Sequence, residues 1–179
     1  MIYEKIKATA EFIKANVKTQ PIIGIVCGSG LANIVSLINV ENILDYSDIP
    51  NFPISTVEGH KSKLIFGYLG GKSVIAMQGR FHYYEGYTMQ QVTFPIRVMK
   101  ELGVEKLILT NAAGGMNPEF NVGDIMIIED HINLLPNPLI GKNDDRLGIR
   151  FRAMNKAYSE TLIEKAQEVA KENNIELRK

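Results

Sequence analysis

Arg80 and His82 stand two residues apart in the string QGRFHYYEG (78–86). In an extended chain, side chains at that spacing project from one face. An arginine there can grip an oxyanion through two parallel N–H bonds, and the histidine beside it can add a further donor. Tyr83, Tyr84 and Glu85 follow at once, making a dense patch of aromatic and polar groups. Two readings fit this patch. One is an anion-binding site; the other is a surface hairpin end closed by an Arg80–Glu85 salt bridge.

Two other segments could meet it. Gly28-Ser29-Gly30 follows an apolar run and precedes a helical pattern, so it offers main-chain N–H groups and a hydroxyl as an anion cradle. Plain turn geometry would explain the same glycines. The string is not a dinucleotide fingerprint, because Asn33 stands at the third glycine position, and it lacks the Gly-Lys-Ser/Thr ending of a P-loop. Asn111 to Gly115 (NAAGG) leaves another apolar run with small residues that admit a ligand close to the backbone, or that simply let the strand end pack tightly. His60, in VEGHKSK, lies in a glycine-bearing loop that either closes over a ligand or is solvated. Asp130-His131, at the end of an apolar run, reads as a buried hydrogen-bonded pair. Cys27 cannot form an internal disulfide, being the sole cysteine, and its apolar setting IIGIVC marks a buried structural thiol rather than a nucleophile. Two residues before Ser29 stands Cys27, not glycine, so the nucleophile elbow of serine hydrolases is absent. No His, Cys, Asp or Glu cluster has metal-ligand spacing, and no catalytic metal is expected.

The elements that must hold these groups follow from periodicity. Ile2, Ile6, Ala10, Ile13 and Val17 recur at helical spacing, predicting an amphipathic helix over 2–17. Residues 22–27 form a doubly buried strand, and a helix follows over 31–38. The prolines of 49–55 make that stretch a loop. Residues 63–69 and 72–78 pair as a hairpin about Gly70-Gly71, whose positive φ suits a type I′ turn. A helix is expected over 88–101, with a kink or a late start at Pro95. Strands follow at 105–111 and 123–130, then an irregular segment over 131–154. Last comes a helix over 155–172, with Tyr158, Leu162, Ala166 and Val169 on one face. Strand, glycine turn and helix in that order open an α/β fold, with one domain spanning residues 1–179. In such sheets ligands collect beyond the carboxyl ends of the strands, which is where all three polar segments fall. The closing string NIELRK reads either as the start of another strand, belonging to a longer protein, or as a frayed tail.

Composition narrows the partners. Hydrophobic residues make up 45% and charged ones 22%, an ordinary globular balance. Twenty basic residues offset twenty acidic ones with no long block of either sign, which argues against nucleic acid as the partner. No apolar run approaches the roughly 18 residues of a membrane span, and the N-terminus lacks a signal peptide's apolar region. No membrane partner is expected, and the cytosol is the expected compartment.

Six strings together resemble the trimeric class of purine nucleoside phosphorylases. They are GIVCGSGL (24–31), IPNFPISTVEGH (49–60), MQGRFHYYEGY (77–87), TFPIRV (93–98), LTNAAGGMNPEFNVGDIMIIEDHINL (109–134) and NDDRLGIRFRAM (143–154). They fall in the family's order and span nearly the whole chain. The resemblance implies a mixed α/β fold whose central sheet is partly barrel-like and flanked by helices, incomplete in this chain, and assembled as a homotrimer. It implies reversible phosphorolysis of purine ribo- and deoxyribonucleosides, with inorganic phosphate as co-substrate and no cofactor. Ser29, Arg80, His82 and the main-chain N–H of Ala112 match the family's phosphate site. Tyr84 matches its ribose contact, His60 its mobile-loop histidine, and Phe151 the aromatic that covers a neighbouring subunit's ribose. Of these, His82, Tyr84 and His60 would bear on catalysis. The family's purine-binding residues match positions beyond 179, so base preference is not legible and the 179 residues alone are expected to turn over inosine poorly. Two departures stand out: Ala32 replaces a common glycine, and HINLLPNPLIG (131–141) is shorter than the loop of some members. Methylthioadenosine phosphorylases share this chemistry, but CGSGL and MQGRFHYYEGY are more similar to the nucleoside enzymes. A non-catalytic phosphate- or nucleotide-binding remnant of the family is the other alternative.

Overall fold

The computed structural model describes residues 1–28, 31–54 and 61–178. The chain forms two compact units: Met1–Ala112 with Pro136–Leu147, and Ala113–Leu135 with Gly148–Lys179.

The first unit begins with α1 (Ile2–Asn16), where Ile6, Ala10 and Ile13 recur every three or four residues and are all buried. That stripe is why the segment is helical. It ends where Val17 turns to extended geometry. Next come β1 (Ile23–Cys27), β2 (Asn39–Asp45), β3 (Lys63–Leu69), β4 (Lys72–Gln78), α2 (Met89–Glu101) and β5 (Lys106–Leu109). The strands form one mixed sheet in the order β2-β3-β4-β1-β5. β2, β3 and β4 run antiparallel in succession, whereas β1 is parallel to both β4 and β5.

Both faces of this sheet are covered. On one, Ile6 and Ile13 of α1 and Phe94, Val98 and Met99 of α2 pack with Val26, Phe66, Ile75 and Met77. On the other, Val35 and Ile38 lie against Ile25, Cys27, Ile65, Val74 and Ala76. Each such fully buried aliphatic side chain contributes about 1.5–3 kcal/mol, so this two-sided core is the main source of stability. The predicted hairpin is present with the predicted ends. Gly70 and Gly71 have φ of 55° and 73°, the left-handed conformation that a type I′ turn demands.

Other expectations need correction. Residues 31–38 hold a 3-10 helix over Ala32–Leu37, not an α-helix. Val35 and Ile38, three apart, are buried against the sheet with Ile34 half-buried beside them, and the Ser36 hydroxyl donates back to the Asn33 carbonyl at 2.7 Å. β2 was not anticipated. It is an edge strand whose residues are exposed or half-buried, so it carries no alternating apolar signal. Its register shifts between Val40 and Asn42, opposite Gly67. α2 does not start late. Thr88 caps it, accepting from the Gln91 N–H at 3.3 Å, while Gln91 Oε1 accepts from the Thr88 N–H at 2.9 Å. This reciprocal cap fixes the start at Met89, and buried Pro95 is carried inside the helix.

Within the first unit, residues 136–147 are tied to α1 by Arg146. Its guanidinium holds Asp144 through Nε and Nη2, reaches Glu4 through Nη1 at 2.8 Å, and lies 4.0 Å from the Tyr3 ring centre.

The second unit is sparer. β6 covers only Ile125–Met126, not the expected 123–130, and pairs in parallel with β7 (Leu177–Arg178). A two-residue partner can sustain no longer ladder, and Ile125 and Met126 remain exposed. β7 realises the strand reading of NIELRK. Arg178 bonds Asp124 at 2.9 Å, and the Asn121 N–H, with that guanidinium, holds the Asp124 carboxyl below the usual carboxylate range. α3 spans Glu160–Glu172, shorter than the expected 155–172, because Ser159 caps its first turn. It ends with Asn174 at φ 56°, the Ile175 N–H bonding the Ala170 carbonyl and the Asn174 N–H that of Lys171. Residues 131–154 are irregular, as expected. Asp130 and His131, however, are exposed rather than buried: Asp130 caps the His131 N–H, and the imidazole meets Tyr158 edge-on.

A Cβ on Gly67 would sit 2.1 Å from the Asn39 carbonyl oxygen. Gly67→Ala is therefore expected to destabilise the protein by about 1–3 kcal/mol in urea unfolding, because β2 must move off β3 to make room.

Candidate functional site

β4, β1 and β5 are adjacent and parallel, so their carboxyl ends lie along one edge. Cys27 is in register with Gln78, and Val26 with Leu109. The segments that begin at Gly28, Gly79 and Thr110 therefore leave the sheet side by side, at the position where ligands gather in α/β sheets.

Gly79 opens the middle segment with φ of 109°, a conformation that favours glycine. Its carbonyl accepts from the buried Tyr46 hydroxyl at 2.7 Å. Burial, with the nearby Cys27 thiol adding to it, pushes the Tyr46 phenol far above its ordinary value, which keeps it protonated and donating. Phe81 then turns into the core against Tyr46, Phe52 and Tyr87. With Phe81 committed inward, Arg80 and His82 are left on the opposite face. One buried ring thus aims two polar side chains.

Arg80 is fixed at two of its donors. Nη1 donates to the Thr110 carbonyl at 2.9 Å and Nε to His82 Nε2 at 3.2 Å. A guanidinium carries five N–H groups, so three remain for an anion. His82 is oriented from its other side: Nδ1 lies 2.8 Å from Glu85 Oε1, and that oxygen also accepts the His82 main-chain N–H at 2.8 Å. A carboxylate only accepts, so the neutral imidazole carries its proton on Nδ1 and presents the Nε2 lone pair to Arg80. The Glu85 side chain is only 2% exposed. Tyr84 stacks on the imidazole with ring centres 4.7 Å apart and its own ring largely in solvent.

At the next strand end, Thr110 Oγ1 accepts from the Gly28 N–H at 2.8 Å and donates to the Val26 carbonyl at 3.2 Å. Two residues on, Ala112 is exposed, within the same unit. The structure thus brings Arg80, His82, Tyr84 and the chain at Ala112 to one sheet edge. Ser29 and His60 lie outside the described residues. Phe151 belongs to the second unit and is 87% exposed. Cys27 is buried, and desolvation raises its thiol pKa, as a structural thiol requires. Among the described residues no three His, Cys, Asp or Glu side chains are grouped to hold a metal ion, and no helix is long and apolar enough to cross a membrane.

Sequence reasoning missed two contributors. Glu85 pairs with Arg80 only in the hairpin-end reading of the patch, and neither reading gives it to His82, which it engages. The His-x-x-Glu spacing, which brings residue three back to residue zero in a tight turn, was the available signal. Thr110, a hydroxyl at the end of an apolar strand, was passed over.

A mixed α/β sheet with a guanidinium and an imidazole held together at the carboxyl edge of its parallel strands defines a protein of the class of α/β folds that gather ligands at that edge. Residues 22–179 match the phosphorylase superfamily, and the chain belongs to that family. It is 55% identical over 177 residues to purine nucleoside phosphorylase 1 of Bacillus subtilis, an alignment covering 98% of this chain and 65% of that protein. It is 51% identical to purine nucleoside phosphorylase of Rattus norvegicus, covering 92% of this chain and 58% of the relative. This chain thus spans about three-fifths of the length of such relatives. Among solved structures, isoform 2 of purine nucleoside phosphorylase from Schistosoma mansoni, in complex with cytosine and ribose-1-phosphate, superposes with a TM-score of 0.92 at 43% identity. That match covers 98% of this chain and 64% of the other.

The geometry predicts the effect of Glu85→Ala. Nitrogen NMR of the imidazole should show the proton on Nδ1 in the parent protein and a moved Nδ1 resonance in the variant, where that N–H has lost its carboxylate acceptor. Urea unfolding should lose about 1–3 kcal/mol, because the His82 N–H is left without its acceptor. An unmoved Nδ1 resonance would remove Glu85 from the site.

Proposed function

We propose that this chain supplies the phosphate and ribose side of a purine nucleoside phosphorylase. The reaction joins inorganic phosphate to C1′ of a purine ribo- or deoxyribonucleoside as the glycosidic bond to the base breaks. The base leaves with that bond's electron pair and takes up a proton, giving free purine and (deoxy)ribose 1-phosphate. The observation that carries the reading is the held guanidinium of Arg80, with three donors to spare, beside His82 and the Ala112 main chain at one sheet edge.

These groups suit the chemistry. Positive charge grows on the ribose as the bond breaks, and a phosphate dianion beneath C1′ stabilises it while serving as nucleophile. The protein's task is then chiefly to position the anion. The Arg80 donors left over can meet the phosphate oxygens, while Glu85 keeps the imidazole of His82 oriented beside them. The stacking of Tyr84 on the imidazole and its exposure to solvent support the reading that it contacts the sugar. Ser29 and His60 complete the phosphate site and its covering loop on the strength of the sequence resemblance. No cofactor takes part, since phosphate itself is the co-substrate. The reading extends to a cytosolic homotrimer acting in purine salvage, in which Phe151 of one subunit covers the ribose bound by the next; its near-complete exposure within its own unit suits that role.

Phosphate titration followed by phosphorus NMR tests the site on this chain, and hypoxanthine release from inosine tests the reaction. Arg80→Ala should weaken phosphate binding at least about tenfold, since charged hydrogen bonds are worth about 1.5–3 kcal/mol. Where turnover is measured it should fall by about 10²–10³, as for loss of one transition-state donor. Saturable phosphate binding that is indifferent to Arg80 would overturn the assignment.

A further inference from the structure

Thr110 occupies the point where the β1–β5 ladder stops. The last paired residues are Val26 and Leu109, and one more rung is made by the Thr110 N–H to the Val26 carbonyl at 3.1 Å. In a parallel ladder the next rung would run from the Gly28 N–H to the Thr110 carbonyl. That rung is replaced. The Gly28 N–H donates to the Thr110 hydroxyl at 2.8 Å, and the hydroxyl in turn donates to the Val26 carbonyl at 3.2 Å. The Thr110 carbonyl, relieved of its place in the ladder, accepts Arg80 Nη1 at 2.9 Å.

We infer that Thr110 is a positioning residue for Arg80: its hydroxyl stands in for its own carbonyl in the sheet, so that the carbonyl can hold the guanidinium at the carboxyl edge of the strands. The same exchange ties the turn at Gly28 to the arginine, because one residue bonds both. Gly28 must then lie close, and a Cβ there would fall 2.3 Å from the Thr110 carbonyl oxygen and 2.7 Å from Asn111 Cα. A residue without a side-chain acceptor at 110 would let the Gly28 N–H swing back to the carbonyl and compete with Arg80. Serine keeps the acceptor and donor; valine keeps the shape and has neither.

The proposal rests on the phosphate reading only for the identity of the anion, and two readouts separate the two claims. In Thr110→Val, the Arg80 Nε–H resonance should move, and the Gly28 amide should shift with its change of acceptor. Phosphate binding, followed by phosphorus NMR, should weaken by about tenfold, the scale of one hydrogen bond near a charge. Thr110→Ser should restore all three to within about twofold. Leu107→Ala, a core truncation in the same strand, should lower the unfolding midpoint and leave all three readouts at parent values. Should the valine variant not fold, Thr110→Ala takes its place with the same expectations. A parent protein that binds no phosphate would sink the functional reading, and the Arg80 and Gly28 resonances would then decide on Thr110. Unmoved resonances in the valine or alanine variant, or failure of serine to restore them, would overturn the role of Thr110.

Discussion

Where β1 and β5 run out of paired residues, the backbone of Gly28 passes so close to Thr110 that no side chain fits between them. That approach is the constraint on which the edge depends. It forces glycine at the turn, directs the Thr110 hydroxyl to the Gly28 N–H, and leaves the Thr110 carbonyl facing Arg80. A charged side chain that is half-buried and fixed at two donors has already lost much of its rotamer freedom before any anion arrives. Side chains of this kind give up about 1.5–2 kcal/mol of entropy when immobilised, so an anion meeting Arg80 here faces less of that cost.

The rest of the unit serves the same edge at longer range. Helices α1 and α2 cover one sheet face, and the short 3-10 helix covers the other, which buries β4 and β1 and leaves β5 as the exposed edge strand paired to β1. The aromatic group of Tyr46, Phe52, Phe81 and Tyr87 then converts core packing into side-chain direction. Phe81 in the core and the Tyr46 hydroxyl on Gly79 leave Arg80 and His82 one way to point. Glu85 completes the arrangement by selecting the tautomer of His82. Each polar group at the edge is thus oriented by a neighbour whose own place is set by burial or by the ladder.

Much of this was legible in residues alone. The hairpin about Gly70-Gly71 needed two positive φ values, and paired glycines announce them. Arg80 and His82 declared a common face by their spacing, and the apolar runs before Gly28, Gln78 and Asn111 placed three polar segments at strand ends. Where the reading failed, the signal was absent or shared. β2 is an edge strand with no buried face to impose alternation. The segment 123–130 is apolar enough for a strand, yet finds only a two-residue partner. Helix α3 begins at Ser159 because a hydroxyl caps it, a stop that apolar spacing upstream did not reveal.

By itself, the sequence determined the α/β class, the doubly buried first strand and the hairpin, and it nominated Ser29, Arg80, His82 and the Ala112 main chain for phosphate, with Tyr84 for ribose. These follow from periodicity, backbone tolerance and resemblance, all of which are local or countable along the chain. Tertiary structure alone decided that β4, β1 and β5 are neighbours, that Glu85 serves His82, and that Thr110 yields its carbonyl to Arg80. The reason is physical. Hydrogen bonds between residues 28, 80 and 110 depend on strand order and register, and those are fixed only when the sheet buries both its faces at once.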